Sequence, residues 1–125
     1  MSRKPPLVFI IDDDEMFADC LVAAIKKGNK SAKVQTFKNA IDAMNSLSDP
    51  LPDLIFLDIL LPGPDGFTFL NEITSYTDTA KIPIILVTSL ELPEADLSIY
   101  GIQGILNKES MKPSEVTEYV KRYTN

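Results

Sequence analysis

The sequence predicts an α/β domain, a doubly wound, open, five-stranded parallel sheet with helices on both faces. Three observations carry that prediction. Apolar runs of strand length alternate with segments of helical period along all 125 residues. The strongest runs, Leu7–Ile11, Leu54–Leu57 and Ile84–Val87, are continuously apolar, as strands buried on both faces are. No internal repeat or low-complexity tract interrupts the alternation.

The elements follow in order. Leu7–Ile11 is the first strand and ends in the acidic cluster Asp12, Asp13, Asp14. Phe17, Cys20, Leu21, Ala24 and Ile25 then recur at helical spacing as the buried stripe of a helix, with Lys26, Lys27 and Gly28 as stop signals. Lys33–Phe37 is a short, weaker strand. Asn39 is placed to cap a helix carrying Ala40, Ala43, Met44 and Leu47, which Pro50 and Pro52 terminate. Leu54–Leu57 ends at Asp58, and Leu61 to Gly66 is dense in turn formers. A helix is expected from Phe67 to about Tyr76, then a strand over Ile84–Val87 ending at Thr88. Pro93 and Gly101 bracket a short helix over Glu94–Tyr100. Gly104–Asn107 is the last strand and ends at Lys108. Val116, Tyr119, Val120 and Tyr123 stripe a final helix entered near Pro113.

Composition narrows the chemistry. At 13.9 kDa and 45% hydrophobic residues, residues 1–125 are expected to form one domain, which can bury roughly two-thirds of its unfolded surface. The chain has no histidine and one cysteine, Cys20, which excludes an internal disulfide and a Cys/His zinc site. Its acid, base or phosphoryl-carrying groups are therefore of other types. A formal charge of −6 argues against direct nucleic-acid binding and favours cations or a basic partner surface. No run of about 18 apolar residues marks a membrane span. The start Met1-Ser-Arg-Lys-Pro-Pro lacks the apolar segment of a secretory signal, so a cytoplasmic protein is expected.

In open parallel sheets the site lies outside the carboxyl ends of the strands. Asp12, Asp13, Asp58, Thr88 and Lys108 all fall there and should converge on one rim. Each alone has an ordinary explanation: a helix cap, a turn residue, a strand residue, a surface cation. Together they form a kit. Two carboxylates about 4 Å apart repel by roughly 4 kcal/mol at an effective dielectric of 20, so a cation is needed. An acidic all-oxygen site suits Mg²⁺. One carboxylate can then attack phosphorus, with Mg²⁺, a hydroxyl and an ammonium meeting the charge on the transferring group.

The pieces Val8-Phe-Ile-Ile-Asp-Asp-Asp14, Asp53-Leu-Ile-Phe-Leu-Asp-Ile-Leu-Leu-Pro-Gly-Pro-Asp-Gly-Phe67, Ile82-Pro-Ile-Ile-Leu-Val-Thr-Ser89 and Gly104-Ile-Leu-Asn-Lys108 cover nearly the whole chain. In them the sequence resembles the receiver domain of two-component response regulators. The resemblance implies a flavodoxin-like strand order 2-1-3-4-5 and a phosphoryl group accepted on Asp58 from a histidine kinase or a His-phosphotransfer protein. It further implies Mg²⁺ held by Asp13, Asp58 and the backbone carbonyl of Leu60, with Asp12 acting largely through water. Thr88 would bind and signal the phosphoryl group, and Lys108 would pair with it. Asp14 would replace Asp13 as ligand if the first strand ran one residue further; otherwise it caps the first helix.

No separate turnover substrate is expected, so the domain would be a switch for a downstream protein rather than an enzyme. A phosphorylation-dependent dimer stays open. The runner-up readings are a degenerate receiver used only as an interaction module, and a small Mg²⁺-dependent hydrolase of the haloacid-dehalogenase type. The hydrolase would need an acid two residues after the nucleophile, where Leu60 stands. The sequence departs from the resembled family in three places: Glu109 follows Lys108 where proline is common, Ile105 holds the usual aromatic switch position, and the segment between Thr88 and Gly101 is short. Leu60 and Leu90 occupy the positions that flank the water attacking the phosphoryl group in that family.

Overall fold

The computed structural model describes residues 4–48, 50–91 and 101–124. Five strands form one sheet: β1 (Leu7–Ile11), β2 (Lys33–Phe37), β3 (Leu54–Leu57), β4 (Ile84–Thr88) and β5 (Ile102–Asn107). Their order is β2-β1-β3-β4-β5 and all neighbours are parallel, as expected. Among the described residues the helices are α1 (Glu15–Gly28), α2 (Ala40–Asn45), α3 (Gly66–Thr74) and α4 (Pro113–Tyr123), with a 3-10 turn at Thr79–Lys81. The helix expected over Glu94–Tyr100 lies outside the described residues.

Strand alternation explains the continuous apolar runs. Val8, Ile10, Leu54, Phe56, Ile85 and Val87 face α1 and α4, where Leu21, Ile25, Val116 and Val120 close the core. Phe9, Ile11, Ile55, Leu57, Ile84 and Leu86 face the other way, toward α2 and α3 with Ala40, Ala43, Phe69, Leu70 and Ile73. Each such side chain contributes about 1.5–3 kcal/mol when fully buried. Two apolar faces leave the sheet only its rims for polar chemistry.

Local signals set most boundaries. Asp14 caps α1, its carboxylate accepting the Phe17 N–H, and Asn39 and Asp65 cap α2 and α3 in the same way. Three boundaries move. The expected last strand begins earlier, at Ile102, and a register shift between Ile84 and Ile85 leaves Gln103 as a bulge. The third helix ends at Thr74, and the chain turns through Thr79–Lys81 into β4. The second helix ends at Asn45, short of Leu47.

The stripe on α1 is also rotated. Ala18 is buried and Cys20 is exposed, beside Lys27, Pro113 and Lys121. Helix α4 packs along α1, the Thr117 hydroxyl donating to the Ala24 carbonyl at 3.0 Å, and Cys20 lies at the rim of that contact rather than under it. Gly28 is not a left-handed cap, since helix α1 includes it and Asn29, in extended conformation, closes the helix. A Cβ on Gly28 would lie 3.0 Å from the Thr117 carbonyl oxygen and the Val120 side chain. Close approach of α4, rather than turn geometry, is the reason for glycine there.

Candidate functional site

Sheet geometry gathers the site. Asp12 directly follows β1 and its N–H bonds the Phe37 carbonyl at 2.9 Å; Asp58 directly follows β3 and its N–H bonds the Ile11 carbonyl at 2.9 Å. Thr88 ends β4, and its carbonyl accepts the Lys108 N–H at 3.0 Å. Three neighbouring strands thus present Asp12, Asp58 and Thr88 in one row, and β5 delivers Lys108 beside them.

The ammonium of Lys108 bridges two carboxylates, lying 2.7 Å from Asp12 Oδ2 and 2.9 Å from Asp58 Oδ2. The remaining oxygens face backbone: Asp12 Oδ1 accepts the Asp14 N–H at 3.0 Å, and Asp58 Oδ1 accepts the Leu60 N–H at 3.1 Å. Asp12, Asp58 and Thr88 are buried, whereas Asp13 is exposed. Burial holds the Asp12 carboxyl above its ordinary range, and the neighbouring Asp58 charge adds to the shift against the opposing pull of Lys108. Burial also disfavours the charge on Lys108, but the two carboxylates outweigh it and raise the ammonium above the usual lysine range.

One carboxylate oxygen from each of Asp12, Asp13 and Asp58 lies within 4.8 Å of the others. Asp12 Oδ2 is buried without an aligned hydrogen bond, its partner being the nearby ammonium. Clustered, partly desolvated hard oxygens with one exposed member fit a small divalent cation that keeps several waters. Asp14 uses its carboxylate to cap α1.

Three features of the site were not legible in the sequence. The ring of Phe17 lies 4.7 Å from the Lys108 ammonium, measured to its centroid. Asn107 organises the turn after Lys108: its side-chain oxygen accepts the Glu109 N–H at 2.8 Å, and its carbonyl accepts the N–H groups of Ser110 and Met111 at 3.2 and 2.8 Å. Gly66 is buried under the phosphoacceptor candidate, where a Cβ would stand 2.7 Å from the Asp58 carbonyl oxygen. A glycine behind a turn signals close backbone approach in general, but a helical stripe does not say which cation one of its aromatics will meet.

The family model for the response regulator receiver domain matches residues 8–121. The chain belongs to this family. Receiver domains are response-regulator modules of two-component signal transduction. This receiver is 31% identical over 117 residues to the DNA-binding dual master transcriptional regulator RpaA of Synechocystis sp., covering 94% of the chain and 47% of that protein. It is 30% identical over 104 residues to protein-glutamate methylesterase/protein-glutamine glutaminase 2 of Pseudomonas syringae pv. tomato, covering 83% of the chain and 28% of the relative. It spans less than half the length of either. Among solved structures, a putative response regulator from Chloroflexus aurantiacus superposes with a TM-score of 0.82 at 27% identity, over 97% of this chain and 98% of that one. Among the described residues no helix is long and apolar enough to cross a membrane.

Proposed function

We propose that this receiver accepts a phosphoryl group on Asp58 from a phosphohistidine of a histidine kinase or His-phosphotransfer protein, with Mg²⁺ as cofactor, and so switches a surface read by a downstream protein. The observation that carries the reading is the Lys108 bridge between Asp12 and Asp58 beside a three-carboxylate cluster. An Asp58 oxygen attacks phosphorus, the P–N bond of the donor breaks, and the imidazole nitrogen keeps the electron pair and takes a proton from solvent. Asp13, Asp58 and the Leu60 carbonyl would hold Mg²⁺ directly and Asp12 through water; the ion supplies positive charge to the transferring oxygens. Lys108 shares that task as its ammonium leaves Asp58 for a phosphoryl oxygen.

Thr88 reads the result. Its hydroxyl accepts the Leu90 N–H at 3.3 Å, holding the start of the loop after β4. A charge-assisted bond from this hydroxyl to a phosphoryl oxygen is stronger than that long contact and would pull on the loop. With Ile105 rather than an aromatic at the usual switch position, the loop carries the signal. The test is intact mass after incubation with Mg²⁺ and acetyl phosphate: one added, acid-labile phosphate is expected. No gain at any Mg²⁺ concentration would overturn the function.

Two further outcomes follow. In Asp13→Asn, loss of one ligand and of its repulsion should lower Mg²⁺ affinity by about tenfold or more while raising metal-free stability by about 1 kcal/mol. Calorimetric titration together with urea unfolding measures both, and an unchanged affinity removes Asp13 from the ligand set. The phosphoryl group should also be long-lived. Leu60 and Leu90 are both exposed but apolar, so neither orients a water. Leu60→Asn should shorten the half-life by about tenfold, less than the roughly hundredfold or more of a positioned general base, because an amide orients water without taking its proton. A lengthened half-life by ³¹P resonance would contradict this.

A further inference from the structure

Phe17 lies outside the groups given roles above, yet it touches the group on which they converge. The Lys108 side chain is 13% exposed, and among the described residues its ammonium meets Asp12 Oδ2, Asp58 Oδ2 and the face of the Phe17 ring. The ring is held from behind. The Phe17 N–H is fixed by the Asp14 cap at 3.1 Å, and its side chain packs on the core under α1 and α4.

We propose that Phe17 is a positioning residue for phosphoryl transfer, its ring face keeping the Lys108 ammonium in the cleft when a divalent cation takes up the carboxylates. The inference rests on the reading of Asp58 as phosphoryl acceptor. In the metal-free protein the two carboxylates suffice to hold the ammonium. A cation held by Asp13 and Asp58, with Asp12 beside it, draws on the same oxygens and repels Lys108. The attraction of the ring quadrupole is untouched by that competition, and it is strongest for a desolvated cation. The ring therefore keeps the ammonium in reach until a phosphoryl oxygen arrives. An aliphatic side chain of similar size would fill the same space without that attraction.

The test grades the ring electronically at nearly constant shape. Replace Phe17 by its mono-, di- and trifluorinated analogues, and measure beryllofluoride affinity and the acetyl phosphate rate constant at saturating Mg²⁺. Both should fall stepwise, by about three- to tenfold across the series, the range expected of a partly desolvated cation–π contact. Mg²⁺ affinity should stay within about twofold, since Phe17 offers no ligand oxygen. Phe17→Tyr should behave as wild type and Phe17→Leu as the trifluorinated form. In the metal-free wild type, the Lys108 ε-methylene protons should be shifted upfield by the ring and lose that shift in Phe17→Leu. A flat fluorine series or an unshifted methylene overturns the role of Phe17. A wild type that takes up neither phosphate nor beryllofluoride instead overturns the reading of Asp58.

Discussion

Asp58→Asn is expected to abolish phosphate uptake, with a rate at least about a hundredfold below wild type. The amide preserves shape and can still accept the Leu60 N–H, so the cleft should remain folded; what it loses is the nucleophile. The neighbouring carboxylates are poor substitutes. Asp12 is more deeply buried, with Oδ1 engaged by the Asp14 N–H and Oδ2 facing Lys108, and its carboxyl is held toward the protonated state by burial. Asp13 is exposed and lies on the solvent side of the cluster. Intact mass and acid lability are the readouts. Phosphate retained at the wild-type level in Asp58→Asn would move the acceptor to another residue.

Lys108→Ala should destabilise the metal-free fold by about 2–4 kcal/mol at neutral pH. Removing one member of a buried ion pair leaves the other uncompensated, and here two carboxylates are left facing each other. The loss should shrink on acidification, because Asp12 already binds its proton more tightly than an unfolded aspartate and protonation relieves the repulsion. Mg²⁺ should recover part of it. In the wild type, Lys108 is more basic when folded than unfolded, so its stabilising contribution is complete below the ordinary lysine range and disappears as pH rises through the folded value. Urea midpoints at several pH values, with and without Mg²⁺, measure all of this. A variant as stable as wild type at neutral pH would show that the carboxylates do not need the ammonium.

The alternation of strands and helices was legible because it needs little more than hydrophobic periodicity, whereas the strand order came from the resemblance. Strands β1, β3 and β4 are covered on both faces, and continuous apolar runs follow from that. The convergence of Asp12, Asp58, Thr88 and Lys108 was legible for a related reason: in a parallel sheet, residues that end strands share a rim. Where sequence reading missed, a second element decided the outcome. On α1 the buried stripe runs through Ala18, Leu21, Ala24 and Ile25, and Cys20, at the rim of the contact with α4, is left exposed. Gly28 carries a stop signal but serves helix packing. The contact of Phe17 with Lys108 joins α1 to the end of β5, and no local pattern encodes which core aromatic will meet a distant cation.

The turn after Lys108 has an evolutionary corollary. Asn107 and Glu109 are joined by a backbone N–H that a proline at position 109 would not possess. Installing the proline common in the resembled family would remove the donor to the Asn107 amide oxygen, while changing Asn107 alone would leave that exposed N–H to water. The two positions are therefore coupled: either change alone already loses the bond, so their effects should not add. In chimaeras between receivers, residues 107–109 should be transferred as one cassette, because the bond that closes this turn is lost when either end is exchanged alone.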